Sequence, residues 1–214
     1  MPEMNTRGNR FRNSRLAASI TALVPGAAPS SIDIADDTIR GRLGEYRWLD
    51  EGEIRNALEA FLNSRLSTEE VRILIEKYGL LTSARTTEGG PFEEALSLWR
   101  MKQKWLRDFW ATLRGHGGWS QMRGDHVAMT IGPEEVILRF MALSDALEAA
   151  LNALPAKRMG ICKSPDCASP YFIKQRPTEN YCGTAACITY GQRLAKRSWW
   201  AKNKKGSATR GRAK

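Results

Sequence analysis

From about residue 36 the apolar positions recur mostly at the three-and-four spacing of an α-helix. In "LDEGEIRNALEAFLN", Ile54, Leu58, Phe61 and Leu62 share one side, and Asp50 with Glu53 makes a capping-box start. "STEEVRILIEKYGLL" repeats that logic, opening on Ser67 and Glu70 and closing at Gly79. "PFEEALSLWRMKQKWLRDFWATLRG" begins at Pro91, a residue suited to the first helical position, and stops at Gly115. Its apolar side carries Leu96, Trp99, Leu106, Phe109, Trp110 and Leu113. "PEEVILRFMALSDALEAALNALP" predicts another long helix, from Pro133 to Pro155. Between these last two, "HVAMTI" alternates like a strand, so a small hairpin near 118–131 is expected, with "WSQM" as its partner.

The pattern therefore predicts a mainly α fold. A helical domain over 31–156 follows a basic arm over 1–30, which is poor in acids and rich in small residues. Arg7, Arg10, Arg12 and Arg15 give that arm a second potential contact with a polyanion, although a solvated tail explains them equally well. The arm imitates a signal peptide, but its apolar run "LAASITALV" is broken by Ser and Thr. No stretch reaches the ~18 apolar residues of a membrane span, so a cytoplasmic protein is expected.

Charge is divided unevenly. The chain carries +10 overall, yet residues from 151 onward hold 14 Lys and Arg against two acids, Asp166 and Glu179. Residues 1–150 are left with 19 basic and 21 acidic side chains. A polyanion is the partner this asymmetry suggests, the plainer reading being a solubilising tail.

All four cysteines fall between 162 and 187, in the pattern C-x4-C-x14-C-x4-C. Two close pairs joined by a loop are what a tetrahedral ion needs, and zinc favours thiolate. Two disulfides are the rival reading. A chain of this length buries a core without staples, which favours one structural zinc on Cys162, Cys167, Cys182 and Cys187. Four sulfurs leave no open position for catalysis. His116 and His126 lie far upstream and are expected to be ordinary loop or strand residues.

If the segment after the third cysteine is helical, Cys182 lies in the turn before it and Cys187 in its first turns. Setting Arg193 at zero, Arg197 falls at about 40°, Trp200 at about 340°, Lys204 at about 20° and Lys196 at about 300°. That is a basic stripe with one aromatic in it. Ile188, Gly191, Ala195 and Trp199 lie opposite, and are expected to pack on the metal module. The finger then occupies 160–204, followed by a disordered basic tail over 205–214.

The segment "ICKSPDCASPYFIKQRPTENYCGTAACITYGQR" resembles the zinc finger of the bacterial CGNR family, and more broadly treble-clef fingers. The likeness covers residues 160 to 200. It rests on the C-x4-C opening, the aromatic pair Tyr171 and Phe172, Tyr181 before the third cysteine, and a closing C-x4-C that enters a basic helix. The resemblance implies a treble-clef-like finger with the four cysteines as zinc ligands. It also implies a DNA-binding regulator whose upstream domain senses a small-molecule or protein signal. The family tetrad would begin at Cys187, where this chain reads "CITYGQR". Either Arg193 takes the role of the motif's arginine from a shifted position, or the subfamily differs in function.

No phosphate-binding glycine loop, H-E-x-x-H or G-x-S-x-G is present, and the acid pairs Asp36–Asp37, Glu69–Glu70, Glu93–Glu94 and Glu134–Glu135 are read as helix-start charges. No enzyme is expected. Trp99, Trp105 and Trp110 are read as core rather than as a ligand pocket. The leading expectation is a nucleic-acid-binding protein that contacts duplex DNA through Arg193, Lys196, Arg197, Lys204 and Trp200. Such readers are often homodimers. The alternatives are a zinc-stabilised protein-interaction module, with Trp199 and Trp200 as anchors, or a single-stranded RNA or DNA binder.

Overall fold

The computed structural model of the chain describes residues 17–27, 31–82, 89–116, 127–131 and 135–210. Its first two helices begin where capping dictates. In α1 (Glu51–Asn63) the Asp50 side chain accepts from the Glu53 amide and the Glu53 carboxylate accepts from the Asp50 amide. Ser67 and Glu70 do the same for α2 (Thr68–Tyr78), which ends at Gly79 with φ 89°. Each helix turns its apolar stripe inward, burying Ile54, Leu58, Phe61 and Leu62 on α1 and Val71, Leu74 and Ile75 on α2.

The mainly α expectation fails at the sheet. Strands β1 (Ala17–Ala27), β2 (Asp33–Ala35), β3 (Thr38–Leu49), β4 (Pro91–Ala95), β5 (Val127–Ile131) and β6 (Glu135–Phe140) form one six-stranded sheet. Its order is β2-β3-β1-β6-β5, with β4 also paired to β3. Among the described strands only β1 and β6 run parallel. Helices α1, α2 and α4 (Leu143–Ala153) pack against β1, whose Ile20, Ala22 and Val24 alternate into the core.

Each misreading has a local cause. Ala17–Ala27, expected in the arm, alternates with period two, and that signal is weak because its inward residues include a small Ala22. Asp36 and Asp37 cap no helix; both have positive φ (50° and 60°) and form the two-residue turn between β2 and β3. Pro91 opens a strand instead of a helix, a position equally open to proline. Phe92 and Glu94 then point inward, and the helix α3 starts only at Leu96, running to His116. The apolar run "EVILRF" satisfies either period, and a parallel neighbour makes it β6. The strand "VAMTI" exists as expected but pairs with β6; "WSQM" lies outside the described residues, as do His126 and Glu134.

Glu94, buried in the core, is a hub. Its carboxylate accepts from the amides of Leu81 (3.4 Å) and Thr82 (2.7 Å), the Thr82 hydroxyl and the Trp99 indole (2.8 Å). Trp99 and Trp110 are fully buried, whereas Trp105 is 38 % exposed and stacks on Phe109. Two side chains of α3 cap the carbonyls at the end of α1. Gln103 donates to Phe61 and Ser64, and Arg107 donates to Leu62 and Ser64. The Arg107 cation there complements the negative end of the helix dipole. No helix of the described residues is long and apolar enough to cross a membrane.

Candidate metal centre

A single-turn 3-10 helix (Ala156–Arg158) leads into a hairpin of β7 (Met159–Ile161) and β8 (Tyr171–Ile173). Cys162 follows β7 directly. The backbone then folds tightly, with the Cys162 amide donating to Pro170 and the Cys167 amide to Ser164. The Lys163 amide reaches Asn180, which draws the segment carrying Cys182 alongside. Helix α5 (Ala185–Arg210) begins three residues past Cys182, so Cys182 precedes it and Cys187 lies in its first turn. That is the placement the spacing predicts.

The four sulfurs lie within 4.8 Å of one another and could hold a metal ion. Cys167 and Cys182 sulfurs are 3.4 Å apart, and the Cys182 amide donates to the Cys162 sulfur at 3.4 Å. Ligands about 2.3 Å from a tetrahedral centre stand about 3.8 Å apart, so the cluster has the dimensions of a four-thiolate site. All four thiols are free and share one centre, which is not the arrangement of two disulfides. Burial pushes the Cys167 thiol up to about 12 and raises Cys162 as well. Cys187 is drawn down to about 7, first by the Thr184 hydroxyl. A cation at the centre favours the thiolate form of all four ligands.

Aromatic residues pack the module. Phe172 is buried among the cysteines and lies over Gly160, where a Cβ would come within 2.6 Å of its ring. Tyr181 lies against Gly191 of α5 in the same way, at 2.5 Å, and meets Tyr190 edge-on. The glycine in the second turn of this helix thus admits the ring that precedes the third cysteine. Tyr171 faces the other way, edge-on to Trp110 and beneath the Arg107 guanidinium.

The module is fastened to the rest of the protein along β8. Asn63 and Glu59, one turn apart on α1, satisfy backbone groups of Tyr171 and Ile173. Trp110 donates to the Gly160 carbonyl, and Met159 is fully buried in the main core. Between α1 and the module runs a cleft of about 610 Å³, lined by Arg55, Glu59, Arg158, Gln175, Tyr181 and Gly183 among others. Sequence periodicity did not reveal this docking, because Glu59 and Asn63 read as solvent-side helix residues.

The candidate nucleic-acid contacts all fall on α5. Every residue from Gln192 to Asn203 is exposed, including Arg193, Lys196 and Arg197. Trp200 is 52 % and Trp199 57 % exposed, and the two rings meet edge-on at 4.9 Å. Trp199 therefore does not pack on the metal module, and Ile188 is also exposed; beyond Gly191, Gln192 and Ala195 line a shallow groove with Glu179, Asn180 and Tyr181 of the module. Lys204 lies on the helix, but its side chain is outside the described residues. The helix continues to Arg210, well into the stretch expected as a disordered tail; residues 211–214 and Arg7, Arg10, Arg12 and Arg15 are outside the described residues.

Searches against family models, curated proteins and solved structures gave no match.

Proposed function

We propose that the four cysteines hold one structural Zn2+ ion and that α5 is the nucleic-acid-binding element of a cytoplasmic, DNA-binding transcriptional regulator. An all-thiolate set of four suits zinc and leaves it no open position for chemistry. The observation that carries the nucleic-acid reading is the helix itself. It is fixed at its first turn by Cys187, is exposed on every side from Gln192 to Asn203, and carries seven Lys and Arg with no acid over its 26 residues. A helix of about 10–12 Å diameter fits the major groove of duplex DNA, about 12 Å wide. Arg193, Lys196, Arg197 and Lys204 neutralise phosphates in this reading, and Trp200 adds an aromatic contact. The resemblance of residues 160 to 200 to the CGNR fingers supports the same assignment.

The test is selection of the zinc-loaded protein against a random duplex library at about 0.2 M salt, where phosphate-only binding is suppressed. An enriched motif, lost in Arg193→Ala, Arg197→Ala protein that keeps its zinc, is the expected result. Unaltered affinity in that double variant would remove α5 from the interface. The exposed Trp199–Trp200 pair favours a second reading, stacking on single-stranded nucleic acid. Competition between duplex and single strand separates the two. Binding of neither would shift weight to a protein partner anchored on the same tryptophans.

A further inference from the structure

Helix α3 has two apolar faces, and the fold uses one. Trp99, Gln103, Leu106, Trp110 and Leu113 form the inward face, each buried. Leu98, Met101, Trp105 and Phe109 form a second stripe, separated by three, four and four residues, which keeps them on one side of the helix. Met101 is 63 % exposed, Trp105 38 % and Leu98 37 %, and Phe109 is half-buried beneath the Trp105 ring. Phe109 also packs in part against the main core and the Lys102 ammonium lies 5.4 Å from the centre of the Trp105 ring, but Leu98, Met101 and Trp105 keep exposed apolar surface. Lone surface hydrophobics need no explanation, but four large ones in register along three turns form a patch of the kind that marks an interaction site.

Charge on the flank of the stripe identifies what fits it. Lys104 and Asp108 lie on the same edge, exposed and paired with each other at 2.6 Å. A second α3 laid antiparallel across the first, with its two-fold axis between residues 105 and 106, sets Lys104 of each copy near Asp108 of its mate. The same axis stacks Trp105 near Trp105 and brings Met101 toward Phe109. A parallel two-fold pair would carry the Lys104–Asp108 edges to opposite sides of the contact, where they cannot meet. The pattern is self-complementary in one orientation only, which is the signature of an isologous contact.

We infer that this face of α3 is a homodimer contact, built on Met101, Trp105 and Phe109 with reciprocal Lys104–Asp108 pairs. The stripe alone buries less than the about 800 Å² per partner of a standard interface, so the dimer forms with rising concentration instead of being permanent. The inference does not depend on the nucleic-acid reading. Where both hold, two α5 helices related by a two-fold axis bind a site with inverted half-sites.

Sedimentation equilibrium of the full zinc-loaded chain over a concentration series tests this. The chain of 24.0 kDa is expected to rise toward twice that mass, about 48 kDa, as concentration increases. Met101→Glu, chosen because the residue is exposed and its loss leaves the core intact, is expected to hold the protein at the monomer mass. Lys104→Glu, which sets acid against acid across the axis, is expected to weaken the dimer. The swap Lys104→Glu, Asp108→Lys restores it. A wild-type protein that stays monomeric throughout overturns the proposal. So does a dimer that survives Met101→Glu, which would place the contact elsewhere, or a charge swap as weak as the single reversal.

Discussion

The side chain of Asn63 exchanges two hydrogen bonds with the backbone of Tyr171, donating to its carbonyl at 2.8 Å and accepting from its amide at 3.0 Å. A side-chain amide here does for β8 what a neighbouring strand would do, completing its free edge across 108 residues of sequence. Asn63→Ala leaves both groups of Tyr171 without their partner in a half-buried position. The expected loss is about 2–3 kcal/mol of stability, read from urea denaturation. Faster hydrogen exchange at the Tyr171 amide, with one metal ion still bound per chain, would localise the effect. An unchanged exchange rate would mean the contact does not fasten the module.

One turn earlier, Glu59 accepts from the Ile173 amide, and burial raises its pKa above the ordinary 4.5, outweighing the pull of that hydrogen bond. A raised folded-state value favours folding below 4.5, and the contribution disappears as pH rises through the folded-state pKa. Glu59→Gln keeps an acceptor for Ile173 without the buried charge. The variant is expected to match wild type below the ordinary 4.5 and to exceed it increasingly as pH rises through the shifted range. Glu59→Ala orphans the amide and is expected to be less stable than Gln at every pH by about 1–2 kcal/mol. Thermal melts of the three proteins across pH supply the comparison, and parallel curves for wild type and Gln would refute the sign.

Spacing in the sequence makes the metal ligands legible because four thiols in one window admit few arrangements. The two capping boxes are equally clear, since Asp50–Glu53 and Ser67–Glu70 act within a single turn. The sheet is harder to read. β1 and β6 are brought together by a parallel pairing between segments more than a hundred residues apart, and a run such as "VILRF" carries no periodicity that chooses strand over helix. The link between α1 and β8 is obscure for another reason. Asn63 and Glu59 sit on the polar side of an amphipathic helix, where the pattern assigns water, and only the folded chain puts a strand edge there.

That link changes what metal removal should do. A free-standing module would unfold on chelation and leave the remainder untouched. Here Met159 is fully buried in the main core and the Trp110 indole is bonded to Gly160. Chelation, or Cys182→Ser with Cys187→Ser, is therefore expected to unfold α5 and also to perturb Trp110. The melting temperature of the remaining fold should fall, by roughly 10 °C if about 3 kcal/mol is lost. Far-ultraviolet dichroism follows the helix and near-ultraviolet dichroism the indole. A helix signal that falls while the tryptophan signal stays fixed would show that the two parts fold independently.

Gly191 tests the joint between the metal module and α5 from the other side. In an exposed helix, glycine to alanine stabilises by about 1 kcal/mol, so propensity alone favours Gly191→Ala. The built Cβ, however, stands 2.5 Å from one carbon of the Tyr181 ring and 2.7 Å from the next, well inside contact distance. Tyr181 cannot simply swing aside, because it is followed by Cys182 and is stacked edge-on with Tyr190. Gly191→Ala is thus expected to destabilise the module by about 1–3 kcal/mol, an overpacking effect that reverses the propensity. Tyr181→Ala makes room for the methyl group, so adding Gly191→Ala to it should be neutral or stabilising. The double-mutant cycle therefore has a predicted sign, and metal-release rates for the four proteins measure it at the site. Additive effects would mean that the helix leaves the metal centre without touching Tyr181, and that the glycine serves no joint at all.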